Sequence, residues 1–188
     1  LVIINELPNP MTLKEQYQSA VVPALKKDFG IESIMAVPKV KSVTISVGLS
    51  QGLKDPKVLE TVERTLERIT GQKPAKTKAK KSISSFKIRE GMVVGMMVTL
   101  RGQRMWDFLT RLTNFTFPRI RDFRGISSKS MDAHGNLSLG FRENIAFPEI
   151  RPDEIERIHG LQITITTTAG ERAVGTALLK GLGFPFTN

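Results

Sequence analysis

Lysine and arginine are concentrated in two segments of the chain, where their charges could bind phosphate groups. Residues 73–89 contain seven basic residues and no acidic one, and residues 101–124 contain six arginines and two aspartates. The segments contribute +7 and +4, whereas the whole chain carries +10, so the remainder is slightly acidic. Because a local cationic field attracts polyanions, above all phosphate backbones, the pattern predicts contact with a nucleic acid.

The middle of the first segment has too few apolar side chains to pack, which predicts an exposed loop. Its cations are Lys76, Lys78, Lys80 and Lys81. A solvated surface is the simplest alternative, and it suits basic residues interleaved with acids, as in residues 60–68. An uninterrupted run repels itself and favours an interaction element, although charge alone also permits a targeting signal.

Catalytic chemistry has little support in the sequence. The two histidines, His134 and His159, have no second ligand at metal spacing and no nearby serine in an elbow motif. The segments GLSQGLK and GQKPAK lack the spacing of a phosphate-binding loop. The chain has no cysteine, which excludes disulfides and thiolate sites and fits a reducing compartment. We therefore expect no enzyme activity, no metal and no cofactor; a phosphodiesterase is the enzyme alternative.

Length and hydropathy favour one folded domain. The chain of 188 residues is long enough to bury a core, and it contains no apolar run of the roughly 20 residues that span a bilayer. Residues 1–10 lack the features of a signal or transit peptide. Pro8 and Pro10 mark them as a loose N-terminal extension, so the predicted domain is residues 11–188.

Helical spacing predicts several helices. Thr12 and Glu15 have the spacing of a capping box, and this first helix should kink or split at Pro23 and end at Gly30. A second helix should begin at Asp55-Pro56, with an apolar stripe from Val58 to Ile69. The segment EIERIHG predicts a brief helical piece, and a final helix should surround Leu178 and end at Gly183.

A third helix has its own apolar stripe and should stop before Pro118. The residues of this stripe are Met105, Phe108, Leu109, Leu112 and Phe115.

Alternating segments between the helices predict strands. In KVKSVTISVG, Val43, Ile45 and Val47 should point to one face and the hydroxyls of residues 42, 44 and 46 to the other. MVVGMMVTLRG predicts an internal strand with Met96 and Met97 as core residues, a Gly135-Asn136 turn should lead into a short strand, and LQITITTTA alternates cleanly. The predicted fold class is α+β, a largely antiparallel sheet with helices packed on it and an exposed basic loop.

Hydroxyl-faced strands beside two cationic segments favour binding to folded RNA. Lysine and arginine contact phosphates, whereas Ser, Thr and Gln can meet ribose hydroxyls or base edges. Few aromatic residues interleave with the charges, and Phe86 is the main candidate, so docking to RNA shape is favoured over stacking along a single strand. A non-specific nucleic-acid chaperone is the alternative.

Several long blocks resemble a known family. They are ITGQKPAKTKAKKSISSFKIREGM, VTLRGQRMWDFL, PRIRDFRG, FRENIAFPEI, LQITITTTA and the terminal GFPF, and the resemblance as a whole covers essentially Met11 to Phe186. In this order they resemble the bacterial-type fifth protein of the large ribosomal subunit. The family binds 5S ribosomal RNA and helps attach it in the central protuberance. The resemblance implies a cytoplasmic place in the ribosome, with an organellar ribosome as an alternative.

The resemblance also implies partners and site residues. The family contacts large-subunit ribosomal RNA, the peptidyl-site transfer RNA and a small-subunit protein across an intersubunit bridge. The matching polar positions for 5S RNA are Ser46, where the family usually has asparagine, Gln72 and Thr99. The predicted ribosomal-RNA site adds cations that would bind phosphates: Lys73, Arg101, Arg119, Arg121 and Arg124. The family's loop facing transfer RNA matches the lysines Lys76, Lys78, Lys80 and Lys81. The family's usual DGRGN is here residues 132–136, with Ala133 and His134 at its second and third positions.

Overall fold

Five antiparallel strands form one sheet at the centre of the protein. The computed structural model describes residues 12–49, 56–121, 123–150 and 158–187. The strands are β1 (Val40–Gly48), β2 (Ala75–Lys78), β3 (Val93–Leu100), β4 (Leu137–Phe141) and β5 (Leu161–Thr167). Their order across the sheet is β2-β3-β1-β5-β4, and every neighbouring pair is antiparallel. With the helices below, this confirms the predicted α+β class.

The helices lie on one face of this sheet. They are α1 (Leu13–Gln16), α2 (Val22–Phe29), α3 (Pro56–Thr70), α4 (Gly102–Arg111), α5 (Phe117–Arg119) and α6 (Arg172–Gly181). Helix α3 packs on β3, α4 contacts β1, and α6 packs against α2. No helix within the described ranges is long and apolar enough to cross a bilayer.

The strand residues that face the helices are apolar and buried. Register places Val43 of β1 between Leu100 and Ile165, and Ile45 opposite Ile163. These five side chains are fully buried, as the alternation in the sequence predicts. Because antiparallel partners share a face, the same register sends the neighbouring strand residues to the opposite side of the sheet.

Two prolines lie inside helices because each follows a wider, π-helical turn. The first such turn, Tyr17–Val21, joins α1 to α2 ahead of Pro23, and the second, Leu112–Thr116, joins α4 to α5 ahead of Pro118. A π turn already displaces the hydrogen bonds that a proline interrupts. The prediction that the third helix stops before Pro118 is therefore wrong, and the first helix likewise continues through Pro23 to Phe29, with a π turn before the proline as its only irregularity.

The π turn also rotates the side chains that follow it. Phe115 was expected on the buried stripe but is 55% exposed, and Thr116 and Phe117 are buried instead. The extra residue of the turn shifts the helix face, so the 3.6-residue spacing of the sequence no longer applies beyond Leu112.

Most other predicted helix boundaries are confirmed. Thr12 and Glu15 form the capping box, Gly30 ends α2 in a left-handed conformation, and Gly71 follows the last residue of α3. The predicted cap at Asp55 and most of the helical piece EIERIHG lie outside the described residues, as does the N-terminal extension.

The strand β2 occupies part of the segment predicted to be a loop. Lys76 and Lys78 lie on β2 and pair with β3, while Lys80 and Lys81 follow it. An edge strand needs backbone hydrogen bonds on one side only, and lysines are frequent there, so few apolar residues are required. The lack of apolar residues at 76–78 was therefore a misleading sign of a loop.

A close contact between two glycines joins α6 to the turn before β4. A Cβ atom on Gly175 would lie 2.5 Å from the Gly135 carbonyl oxygen and 2.6 Å from its Cα. The same turn is held by β5, because Thr167 donates its hydroxyl to the Gly135 carbonyl at 2.8 Å and its amide to Asn136 Oδ1 at 2.9 Å. Helix, turn and strand thus meet where a methyl group does not fit.

Substitution Gly175→Ala tests this contact. The new methyl group would press on backbone atoms, so we expect the free energy of unfolding to fall by about 1–3 kcal/mol despite the better helix propensity of alanine. Denaturant titration measures the change. Gly140→Ala is the matched control, because a Cβ there has nothing within 4 Å. Equal stability of Gly175→Ala and the wild type would contradict the contact.

Candidate nucleic-acid interface

Two neighbouring rows on the outer face of the sheet carry no charged side chain. One row crosses four strands as Thr99, Thr44, Thr164 and Ser138. The Oγ1 atoms of Thr44 and Thr99 are 3.5 Å apart, and Ser138 Oγ lies 3.4 Å from Thr164 Oγ1. Each hydroxyl can donate and accept, so the row offers hydrogen bonds without a fixed polarity.

A second row crosses all five strands beside the first. Its members are Ala75, Met97, Ser46, Gln162 and Gly140. Met97 is 36% exposed here, so the prediction that it belongs to the core is wrong, whereas Met96 is buried as predicted. In the strand Gly-Met-Met-Val both methionines look alike, and the register with Ser46 decides which one faces outward.

Small residues on this face allow the strands to approach one another closely. Gly95 pairs with Gly48 and Thr77, and a Cβ on Gly95 would lie 2.8 Å from the Val47 carbonyl oxygen. Glycine is required at this position for the close approach of β1 and β2 to β3. The outcome is an open surface of hydroxyls, glycines, one amide and one thioether, with a shape that suits a broad, rigid partner.

The predicted ribosomal-RNA residues Gln72, Lys73, Thr99 and Arg101 gather at one end of the β2–β3 pair. Thr99 and Arg101 lie at the end of β3, while Gln72 and Lys73 precede the paired start of β2, which lies opposite that end. Lys73 and Arg101 are exposed and Gln72 is half-buried. Ser46 lies on the neighbouring β1, in the second row, two residues from Thr44. The structure thus brings these residues to one corner of the outer face.

The arginines of the second segment divide into two kinds. Arg101, Arg119, Arg121 and Arg124 are exposed. Arg111, by contrast, pairs with the Glu149 carboxylate and also donates to the Ile69 carbonyl, so it ties α4 to α3 and to the chain after β4. Its charge stabilises the fold instead of remaining available to a partner.

At the other end of β2 and β3, the chain extends as a hairpin that we call the finger, residues 79–92. Its base is closed by the Ala79 amide bonded to the Met92 carbonyl at 2.8 Å and by the Gly91 amide bonded to the Ala79 carbonyl at 3.0 Å. Ile83 and Ile88 exchange both backbone hydrogen bonds further out, at 2.9 and 3.1 Å. Lys78, Lys80 and Lys81 are exposed on or beside the finger. Because β3 has eight residues, this cationic end lies roughly 25 Å from the end that carries Thr99.

Glu63 of α3 binds the beginning of the basic segment. Its carboxylate lies 2.9 Å from Lys76 Nζ and 3.5 Å from Lys73 Nζ, and the Glu63 side chain is only 17% exposed. The hydrogen bond from Lys76 is the largest cause that lowers the pKa of Glu63, and the charges of Lys76 and Lys73 act in the same direction against partial burial. In the described part of the chain no carboxylate pairs with Lys78, Lys80 or Lys81. Lys76 is therefore tied to the protein, unlike the other three lysines of its predicted group.

Two family models match the chain, and together they cover most of it. One is described as ribosomal protein L5 and matches residues 33–89; the other describes the C-terminus of the same ribosomal family and matches residues 93–186. The chain belongs to the ribosomal protein L5 family. The two matched regions meet at residues 90–92, where the finger returns to β3.

Curated relatives agree over nearly the full length. The chain is 50% identical over 174 residues to large ribosomal subunit protein uL5 of Roseiflexus sp. (strain RS-1), covering 93% of this chain and 97% of that protein. It is 52% identical, with the same coverage, to large ribosomal subunit protein uL5 of Herpetosiphon aurantiacus. Membership of this family makes the chain an RNA-binding structural constituent of the large ribosomal subunit, in the cytoplasm.

The two histidines lie in different environments. Burial lowers the pKa of His159, which favours its neutral form, although its hydrogen bond to the Gly160 carbonyl acts in the opposite direction. His134 is exposed in the turn before β4. No three His, Asp or Glu side chains converge as a metal site among the residues the structure describes.

The turn at residues 132–136 is intact despite its unusual sequence. Burial would raise the pKa of Asp132, but hydrogen bonds from the Asn136 side chain and amide and from the His134 amide lower it. Gly135 supplies the left-handed residue at φ +80°. Ala133 and His134 are exposed, so they replace the family's usual glycine and arginine without affecting these bonds.

Sequence reasoning did not assign Thr164, Ser138 and Gln162 to the interface. The alternation in LQITITTTA and LSLG shows which of these side chains point away from the core. Their alignment into rows with Ser46 and Thr99 depends on pairing partners that alternation alone does not specify.

The substitution Glu63→Gln tests the pairing of Glu63 with Lys73 and Lys76. Because the pKa of Glu63 is lower in the folded state, the pairing stabilises the fold above the ordinary value of 4.5, and this contribution is lost as pH falls through the lowered pKa. We expect Glu63→Gln to unfold at lower denaturant concentration than the wild type at about pH 7, and the gap to close at an acidic pH below the lowered pKa of Glu63. Glu60→Gln, an exposed carboxylate on the same helix, is the control. A gap of the same size at both pH values would argue against the pairing.

Proposed function

We propose that the outer face of the sheet binds 5S ribosomal RNA and helps attach it in the central protuberance. The observation that carries this proposal is the pair of uncharged rows, rich in hydroxyls, with the exposed cations Lys73 and Arg101 at one corner. Hydroxyls and amides can bond to ribose 2′-hydroxyls and base edges, whereas lysine and arginine neutralise phosphates. In this arrangement Ser46, Gln72 and Thr99 contact the RNA surface, while Lys73, Arg101, Arg119, Arg121 and Arg124 bind phosphates and set the register.

The finger provides a second, separate RNA contact. We assign it to the transfer RNA in the peptidyl site, with Lys78, Lys80 and Lys81 on phosphates and Lys76 at its base. Lysine suits a contact that forms and releases in each elongation cycle, because its ammonium is strongly hydrated and lacks the bidentate fork of arginine. The separation of roughly 25 Å between the two ends of β3 allows both RNAs to bind at once.

The remaining contacts follow from the family resemblance. We propose that residues 11–188 act as one RNA-binding domain that also contacts large-subunit ribosomal RNA and, across an intersubunit bridge, a small-subunit protein. The mechanism is binding without turnover, and it uses no cofactor or metal.

Selective binding of 5S ribosomal RNA is the first test. The purified protein should bind 5S ribosomal RNA more tightly than an unrelated folded RNA or duplex DNA in a filter-binding titration. If several phosphates are neutralised, the log–log dependence of affinity on salt should have a slope of roughly −0.7 to −0.9 for each contact. Similar affinity for all three would favour the non-specific chaperone instead.

Hydroxyl removal locates the surface. The pair Ser46→Ala and Thr99→Val should weaken 5S binding about 3- to 30-fold, the loss expected for one or two hydrogen bonds, and leave the salt slope unchanged because no phosphate contact is lost. Thr176→Val on α6 is the matched control, since its hydroxyl bonds only to the Arg172 carbonyl of the same helix. An equal loss of 5S affinity in Thr176→Val would contradict the assignment of 5S binding to the outer face.

Charge removal separates the two contacts. Changing Lys78, Lys80 and Lys81 together to alanine should keep most of the 5S affinity, weaken transfer-RNA binding and reduce its salt slope by roughly 2–3. The matched control changes three exposed lysines of the helices, Lys14, Lys27 and Lys180. Loss of 5S binding with transfer-RNA binding intact would reverse the assignment.

A further inference from the structure

The tip of the finger carries an aromatic ring that is mostly exposed and does not belong to the hydrophobic core. Phe86 is 71% exposed, more than any other aromatic residue described, and Ile83 beside it is 45% exposed. An exposed ring of this size has a cost in water unless a partner covers it. Neither the hydroxyl rows nor the lysine contacts explain why an aromatic residue lies here.

The backbone of the tip holds Phe86 in a defined position. The Lys87 amide bonds to the Ser84 carbonyl at 3.1 Å and closes a turn inside the Ile83–Ile88 pair. Lys87 has φ +55°, and it is the one non-glycine residue in the described ranges with positive φ. This conformation costs about 1–2 kcal/mol for a residue with a Cβ, so the turn maintains a strained lysine directly beside the ring.

The charged residues around the tip indicate which kind of partner can bind there. The exposed basic residues of the finger and its base are Lys78, Lys80, Lys81, Lys87 and Arg89, and no acid occurs between residues 73 and 89. A polyanion with flat apolar groups matches both features, and a nucleobase with its flanking phosphates is such a group. One aromatic ring can stack on one base, whereas proteins that bind along a continuous single strand present several aromatic rings.

We propose that Phe86 stacks on one unpaired base of the RNA that the finger contacts. Lys80, Lys81 and Lys87 bind the phosphates around this base. The ring then makes the finger selective for RNA with an accessible unpaired base over a fully paired helix. This inference deepens the transfer-RNA contact proposed above, but it requires only that the finger meets RNA.

The test uses a stem–loop RNA with a single 2-aminopurine in its loop, and a matched RNA with the same base paired in the stem. Binding of the full-length protein should quench the loop fluorophore, because stacking quenches 2-aminopurine, and leave the stem fluorophore nearly unchanged. Phe86→Ala should abolish the quenching and weaken binding about 5- to 150-fold, the range expected for one lost base–aromatic stack, with the salt slope unchanged.

Further variants distinguish stacking from apolar contact. Phe86→Trp should bind at least as tightly as the wild type, whereas Phe86→Leu, which keeps apolar area without a π face, should resemble Phe86→Ala. Phe29→Ala on α2 is the matched control, an exposed phenylalanine outside both cationic segments, and it should retain affinity and quenching. Circular dichroism of each variant checks the fold.

Defined outcomes would overturn the proposal. The first is failure of the wild type to bind the loop probe or to quench its fluorescence. The second is wild-type affinity for this RNA in Phe86→Ala or Phe86→Leu. The third is binding of the protein to anionic phospholipid vesicles that Phe86→Ala abolishes and Phe86→Leu preserves. The probe is unrelated to 5S or transfer RNA, so the result stands apart from the proposed function. Equal affinity of the protein for 5S ribosomal RNA and for unrelated RNA would contradict the proposed specific partner of the outer face. It would not affect the proposal that Phe86 stacks on a base.

Discussion

The two-residue period of the strands is the constraint on which the rest of the structure depends. Along residues 43–48 of β1 and the residues of β3 and β5 paired with them, every second side chain is apolar and faces the helices, and every intervening one is uncharged. A shift of one residue in the pairing of β1 with β3 would put Thr44 on the face of Val98 and Ile45 on the face of Thr99, so one strand would expose its apolar side chains; the buried core itself therefore specifies the register. The same register aligns the outer hydroxyls into rows. Hydrophobic burial and the recognition surface are therefore two results of one pairing pattern.

The cations near the sheet follow a different logic, because Lys73 and Arg101 lie at one end of β2 and β3 and Lys78, Lys80 and Lys81 at the other. Where a cation is tied to the fold, a carboxylate on a neighbouring helix or loop is responsible, as for Arg111 with Glu149 and Lys76 with Glu63. Both pairs are partly buried, which reduces the screening by salt that weakens exposed pairs. The finger has no such partner in the described ranges, so its field is directed outward. One basic segment therefore contains, a few residues apart, a cation that is paired within the fold and cations that remain available to a partner.

How much of this could be predicted from the sequence depended on whether a signal was local. The capping box at Thr12, the glycine that ends α2 and the alternation of β1 and β5 involve residues a few positions apart, and all are confirmed. The π turn before Pro118 exposes Phe115, and no spacing rule within the sequence marks such a turn. The edge strand β2 was missed because it is held by backbone bonds to β3, which apolar patterning does not report. The interface followed the same division, since Ser46 and Thr99 could be named in advance, but their alignment with Thr164 and Ser138 is a property of long-range pairing.

The finger extends beyond the core on hydrogen bonds between its own residues, and its outer half contains no side chain that the core buries. Its length is consequently independent of the packing beneath the sheet. One residue added to each arm would move the tip outward by about 3.3 Å, whereas an insertion in β1 would disrupt the core. The hairpin therefore works as an adjustable spacer, and a partner's distance from the sheet can be matched by changes in chain length without any rearrangement of the interior.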